Sequence, residues 1–223
     1  GRLCQISEVC QKCFSSGSGV EITVEANPET LTFEKLKALR ELGVNRLSIG
    51  FQSLNSRLLE ILGRNHSAVD AVQSYFLARQ AGFDNVNIDL IFGVPTETFA
   101  DWKETLKKTA GLEPDHLSCY SLSVHPETPL GRQIKKGCLK EVGEDEQADM
   151  YEYAISYLLS RGLKQYEISN FARAGHQCRH NLIYWKNGGY LGFGAGAYSH
   201  IDVCRWADAR HPKRYIEMIK EKG

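Results

Sequence analysis

A partial, open parallel β/α barrel of the α/β class is the fold this sequence predicts, and three observations lead to it. Strand-like and helix-like segments alternate along 223 residues, the order that builds a parallel sheet from repeated strand–helix units. The strands alternate apolar and polar residues, whereas parallel strands covered on both faces read as unbroken Val/Ile/Leu runs. The polar residues also gather at the C-terminal ends of the strands, where barrel enzymes carry their chemistry.

The elements follow in order. Gln5 to Phe14 reads as an amphipathic helix, and Gly19 to Glu25 as the first strand. A helix from Thr32 to Leu42 puts Phe33, Leu36, Leu39 and Leu42 on one side, and Gly43 is placed to stop it. Val44 to Ile49 is a second strand, followed by helical stretches Leu54 to Leu62 and Ala68 to Ala81. The latter opens at Ser67 and closes at Gly82, an N-cap residue and a left-handed stop. Asn85 to Ile91 is a third strand, ended by the turn Gly93-Val94-Pro95. Phe99 to Ala110 forms the next helix, His116 to Leu122 a fourth strand, Asp145 to Ser160 a long helix and Gln165 to Ser169 a fifth parallel strand. A glycine-rich stretch then leads to a last helix after Pro212, a residue suited to the first helical position. No linker, repeat or low-complexity tract interrupts residues 1–223, so the expectation is one domain.

Side chains two apart on a strand share a face. Ile22 and Val24 therefore oppose Thr23, Glu25 and Asn27; Leu47 and Ile49 oppose Ser48, Gly50 and Gln52; Val86, Ile88 and Leu90 oppose Asn87 and Asp89. One face packs on helices and the other is polar. A closed barrel fills its interior with branched apolar side chains, so a polar interior implies an open barrel with a wide cavity. An antiparallel sheet with one solvated face would alternate too, but the intervening helices argue against it.

Composition excludes several functions. Twenty-seven basic and 27 acidic residues cancel, so nothing suggests a nucleic-acid surface. No apolar run approaches the ~18 residues of a membrane span. Seven cysteines (Cys4, Cys10, Cys13, Cys119, Cys138, Cys178 and Cys204) are scattered without a secretory signal. They read as reduced thiols of a cytoplasmic protein or of a mitochondrial or plastid matrix.

Five motifs occur in sequence: Val24-Glu25-Ala26-Asn27-Pro28, Gly43 through Ser53, Asn87 through Pro95, Gln165 through Ala172, and His180-Asn181-Leu182-Ile183-Tyr184-Trp185. In order and spacing they resemble the signatures of the radical S-adenosylmethionine family of haem chaperones and oxygen-independent coproporphyrinogen oxidases, over nearly the whole chain. The resemblance implies that Glu25, Gln52, Arg64 and Asp89 contact S-adenosylmethionine. The residue chemistry agrees with this. Glu25 can accept from the cofactor ammonium and Arg64 offers a planar fork for its carboxylate, while Gln52 and Asp89 can bind ribose hydroxyls, as acidic residues do at other nucleotide sites. Read without the resemblance, Arg64 is simply a solvated residue after a helix stop, and the carboxylates are undecided.

The His180 motif resembles the haem-binding signature of the chaperone branch, which the coproporphyrinogen oxidases lack. An imidazole can ligate haem iron and aromatic rings can pack on the macrocycle. The plain alternative is a buried, hydrogen-bonded His beside a structural Tyr-Trp pair. Cys178 reads as a small buried thiol rather than an accessory ligand.

The chain departs from the family pattern in one respect above all. Radical chemistry requires a [4Fe–4S] cluster on three thiolates spaced Cys-x-x-x-Cys-x-x-Cys, and this spacing is absent; Cys4, Cys10 and Cys13 precede the first strand with five and then two residues between them. Tyr198 stands where the family pattern usually has His. The expectation is a chain truncated at both ends that holds no metal of its own and cannot cleave the cofactor alone. It would bind haem and pass it to a haem-accepting protein, with the coproporphyrinogen oxidase as the alternative. A hydrolase reading fails for want of a nucleophile elbow.

Overall fold

The computed structural model describes residues 2–14 and 19–222. They fall into two compact units, Gly1–Gln177 and Cys178–Gly223.

The first unit runs α1 (Arg2–Cys13), β1 (Thr23–Ala26), a 3-10 turn (Pro28–Thr30), α2 (Phe33–Glu41), β2 (Arg46–Gln52), α3 (Ser56–Ile61), α4 (Ala68–Gln80), β3 (Val86–Phe92), α5 (Phe99–Ala110), β4 (His116–Ser121), α6 (Pro129–Lys135), α7 (Glu144–Ser160), β5 (Lys164–Gln165) and β6 (Asn170–Ala172). The six strands form one sheet in the order β1-β2-β3-β4-β6-β5. Strands β1 to β4 are parallel, as the alternation of elements requires.

The expected fifth parallel strand is not there. Residues 165–172 make a hairpin instead, in which β6 runs antiparallel to both β4 and β5. The turn is held locally: Ser169 N donates to Glu167 Oε1 at 3.1 Å and Tyr166 N to Asn170 O at 3.1 Å. A side chain reaching its own backbone two residues on is a turn-forming interaction, and it breaks the run that periodicity alone reads as continuous.

Helix starts follow the sequence signals closely. Thr32 accepts from Lys35 N, while Ser67 with Asp70 and Thr98 with Asp101 form reciprocal capping boxes. The apolar sheet face carries Leu47, Ile49, Val86, Ile88 and Leu90, all fully buried, and it shares a core with Leu36, Ala71, Ala78, Trp102 and Leu106 from the helices. Fully burying side chains of this size is worth ~1.5–3 kcal/mol each. Trp102 satisfies its indole N–H on Met150 O at 2.8 Å, which joins α5 to α7 within the core. Leaving that donor unpaired would cost ~1–3 kcal/mol.

The second unit contains α8 (Arg179–Trp185), the antiparallel hairpin β7 (Tyr198–Ile201) and β8 (Cys204–Ala207), and α9 (Pro212–Lys222). Pro212 opens α9 as the sequence predicts. Among the described residues no helix is long and apolar enough to cross a membrane.

Candidate functional site

The parallel register settles which side chains share the polar face. Glu25 lies opposite Ser48, Ser48 opposite Asn87, and Asn87 opposite His116. One step nearer the C-terminal ends, Gly50 lies opposite Asp89 and Asp89 opposite Ser118. Glu25 and Asp89 therefore belong to one surface, Glu25 exposed and Asp89 half-buried.

Gln52 joins them by an irregular route. The register slips between Gly50 and Gln52, and Gln52 takes a positive φ of 65°, a conformation uncommon for a residue with a Cβ. The bulge folds the Gln52 side chain back over Gly50: a Cβ placed on Gly50 would lie 2.5 Å from Gln52 Nε2 and 3.6 Å from Asn27 Oδ1. Glycine at position 50, the register partner of Asp89, leaves the space that the Gln52 amide fills. Simple alternation puts Gln52 on this face; the bulge sets its orientation.

Asp89 is gripped from two sides. Ser48 Oγ donates to its Oδ2 at 2.7 Å and Asn87 Nδ2 to its Oδ1 at 2.8 Å. Behind it, Asn87 Nδ2 also donates to Ser48 Oγ at 2.6 Å, and Asn87 Oδ1 meets His116 Nδ1 at 2.6 Å and Ser118 Oγ at 3.2 Å. His116 Nε2 lies 2.8 Å from the Tyr166 hydroxyl. Ser48, Asn87, His116 and Ser118 are all buried. No sequence motif singles out His116, Ser118 or Tyr166 as a site residue, although His116 and Ser118 repeat the same polar alternation on β4.

Arg64 sits on the loop between α3 and α4. Two residues on, His66 is wedged with Nε2 3.0 Å from Phe51 O and Nδ1 3.2 Å from Glu29 Oε2. These contacts tie the loop to the end of β2 and to the turn after β1. Arg64 is half-buried, and its Nε is buried without a hydrogen-bond partner among the described residues. A guanidinium cannot discard its proton, and a buried donor left unpaired is costly, so this is a group built to meet an acceptor.

Glu97, on the loop after β3, was not foreseen. It is 4% exposed, its Oε2 accepts from Val94 N at 3.1 Å, and its Oε1 is buried without a partner among the described residues. Burial pushes its carboxyl up to about 7, against the pull of the Val94 and Gly93 amides. No sequence pattern signals this, because the cause is burial.

In the second unit, His180 lies in the first turn of α8 and is exposed, not buried as the plain alternative holds. Tyr184 lies edge-on to it with ring centroids 4.7 Å apart, and Tyr190 is 4.3 Å from Tyr184. Tyr184 and Trp185 are also exposed, and Cys178 is buried. In the first unit, Cys10 and Cys13 are exposed one turn apart on α1. Among the described residues no group of three or more His, Cys, Asp or Glu is arranged to hold a metal ion.

The sequence profile of the radical SAM superfamily matches residues 2–109. Relatives agree along most of the chain. It is 44% identical over 203 residues to the haem chaperone HemW of Bacillus subtilis, covering 91% of this chain and 54% of that protein. To HemW of Mycobacterium tuberculosis strain H37Rv it is 36% identical over 218 residues, 98% of this chain and 56% of that protein. The solved structure of the radical SAM enzyme coproporphyrinogen III oxidase (HemN) from Escherichia coli superposes with a TM-score of 0.84 at 26% identity, over 99% of this chain and 53% of that one. The chain belongs to the radical SAM superfamily. It spans about half the length of the relatives it matches, and its mixed, mostly parallel sheet is the partial barrel of that superfamily. A radical SAM relative from mouse, "Radical S-adenosyl methionine domain-containing protein 1, mitochondrial", is 42% identical over 181 residues, 81% of this chain and 41% of that protein.

Proposed function

We propose that this chain contributes the nucleoside site and the haem-loading motif of a radical SAM haem chaperone, which binds haem and hands it to an acceptor protein. The observation that carries the haem reading is the exposed imidazole of His180 with Tyr184 against its edge. An axial ligand must be reachable, and a flat macrocycle needs aromatic surface to lie on. Both are available on α8. The compartment that fits is the cytoplasm, or the mitochondrion that the mouse relative's name gives for that protein.

For S-adenosylmethionine the donor and acceptor set fits. Asp89 keeps lone pairs beyond those taken by Ser48 and Asn87, and these accept from ribose hydroxyls. Gln52 contributes an amide beside them, Glu25 an exposed carboxylate for the ammonium, and Arg64 an unpaired guanidinium N–H for the carboxylate. A [4Fe–4S] cluster does not fit the cysteines present: Cys4, Cys10 and Cys13 have the wrong spacing and share one helix. We assign no reductive step to these residues.

The test is a haem titration of the full-length protein followed at the Soret band, alongside His180→Ala. Saturable binding that His180→Ala abolishes or shifts spectrally is expected. No binding, or identical spectra and affinity in the variant, overturns the chaperone reading. A second reading, the oxygen-independent coproporphyrinogen oxidase, is favoured by the fold likeness to the E. coli enzyme. Decarboxylation of coproporphyrinogen by the reconstituted full-length protein would select it.

A further inference from the structure

The hydrogen bonds behind Asp89 can be arranged in only one direction. An ionised carboxylate only accepts, so the Asn87 group facing Asp89 must be its NH2. Turning that amide over would press its oxygen against carboxylate oxygen. Its two N–H bonds go to Asp89 Oδ1 and Ser48 Oγ. Ser48, having accepted there, sends its own hydrogen to Asp89 Oδ2. Asn87 Oδ1 therefore faces His116, and His116 Nδ1 carries the proton it accepts.

The other ring nitrogen follows. His116 is completely buried, and burial, with Arg46 and His176 as like-charged neighbours, holds its pKa well below the usual imidazole value. With Nδ1 protonated and the ring neutral, Nε2 is an acceptor. The Tyr166 hydroxyl donates to it across 2.8 Å. Tyr166 lies in the Gln165–Ala172 motif, which so far has no role, and the hairpin turn after β5 is what brings it to β4.

We propose that Tyr166, His116 and Asn87 are positioning residues that fix Asp89 as a two-sided acceptor and so make the site specific for a nucleoside carrying a ribose diol. This rests on the nucleoside reading of Asp89 above. With one lone pair on each Asp89 oxygen already engaged, those remaining suit two hydroxyl donors. A ligand without the diol would leave them unmet, and polar sites reject such analogues strongly.

The test compares binding of S-adenosylhomocysteine and its 2′,3′-dideoxy analogue to the full-length protein by calorimetry. The wild-type protein should prefer the diol at least tenfold, a preference lost in Asp89→Ala. His116→Gln places an amide near Nε2 and removes the Nδ1 donor; it should cut the preference about tenfold, as expected for a lost hydrogen bond to an ordered polar network. His116→Asn restores a donor at the Nδ1 position and should recover most of the preference, although both variants lose the ring. A purely structural role for His116 would weaken both ligands equally and leave the preference intact. Ser48→Ala, a milder change, should lower the preference in the same sense, and thermal melts confirm folding. If wild type does not distinguish the two ligands, or Asp89→Ala changes nothing, the nucleoside reading falls and this proposal with it. If Asp89 matters but His116→Gln, His116→Asn and Ser48→Ala all keep the wild-type preference, the positioning proposal alone is overturned.

Discussion

Replacing Gly50 by Ala separates binding from stability at the proposed nucleoside site. The added Cβ would stand 2.5 Å from Gln52 Nε2, against the ~3.5 Å or more that non-bonded heavy atoms prefer. The amide must retreat by about 1 Å, enough to carry a hydrogen bond of ~2.9 Å beyond useful length. Losing one such bond costs about 1 kcal/mol, or roughly fivefold in affinity. The backbone resists little, because Gly50 is absent from the positive-φ residues and Ala there also lowers the entropy of the unfolded chain, by ~0.4–1 kcal/mol. The obstructing atom is the far end of a flexible side chain. Calorimetric titration of the full-length protein with S-adenosylhomocysteine should therefore show roughly fivefold weaker binding, with the melting temperature little changed. Unaltered affinity in a folded Gly50→Ala protein would refute the placement of Gln52 against the ligand. A protein that loses stability and affinity together would refute the view that only the Gln52 amide must move.

Glu97 gives a pH signature. Its folded pKa is raised from 4.5 to about 7, so the folded state binds more protons than the unfolded state between those values, and stability must fall as pH rises through that window. The shift is worth roughly 3 kcal/mol; Glu97→Gln should flatten the loss between pH 5 and 8, and an unchanged profile by chemical denaturation contradicts the burial argument. Thr98→Ala removes one half of the capping box at α5 and should cost about 1 kcal/mol in urea denaturation, while leaving nucleoside affinity alone. Trp102→Phe leaves Met150 O without its indole donor and should cost ~1–3 kcal/mol; no measurable loss would mean that bond contributes nothing net.

Much of this was legible from residue order. The alternation in Thr23-Val24-Glu25, Leu47-Ser48-Ile49 and Asn87-Ile88-Asp89 correctly separates a helix-packed face from a polar one, because strand period alone decides it. The helix start at Ser67 follows from capping chemistry, which is local. Features that depend on distant partners were not legible. The Gln165–Ser169 run looks like one strand until the Glu167 side chain folds it into a turn, and only then does Tyr166 meet His116, 50 positions away. The Gln52 bulge is equally invisible, since a register slip leaves no mark on composition. Glu97 reads as an ordinary loop carboxylate, and only enclosure makes it otherwise. The resemblance supplied Arg64; its unpaired, buried Nε is the physical reason to keep it as a candidate.

The most direct measurement is a crystal structure of the full-length protein with S-adenosylhomocysteine. Ribose oxygens should lie within about 2.5–3.2 Å of the Asp89 carboxylate, with the Gln52 amide alongside and the amino-acid end between Glu25 and Arg64. A nucleoside bound elsewhere, with water alone on Asp89, would contradict the account.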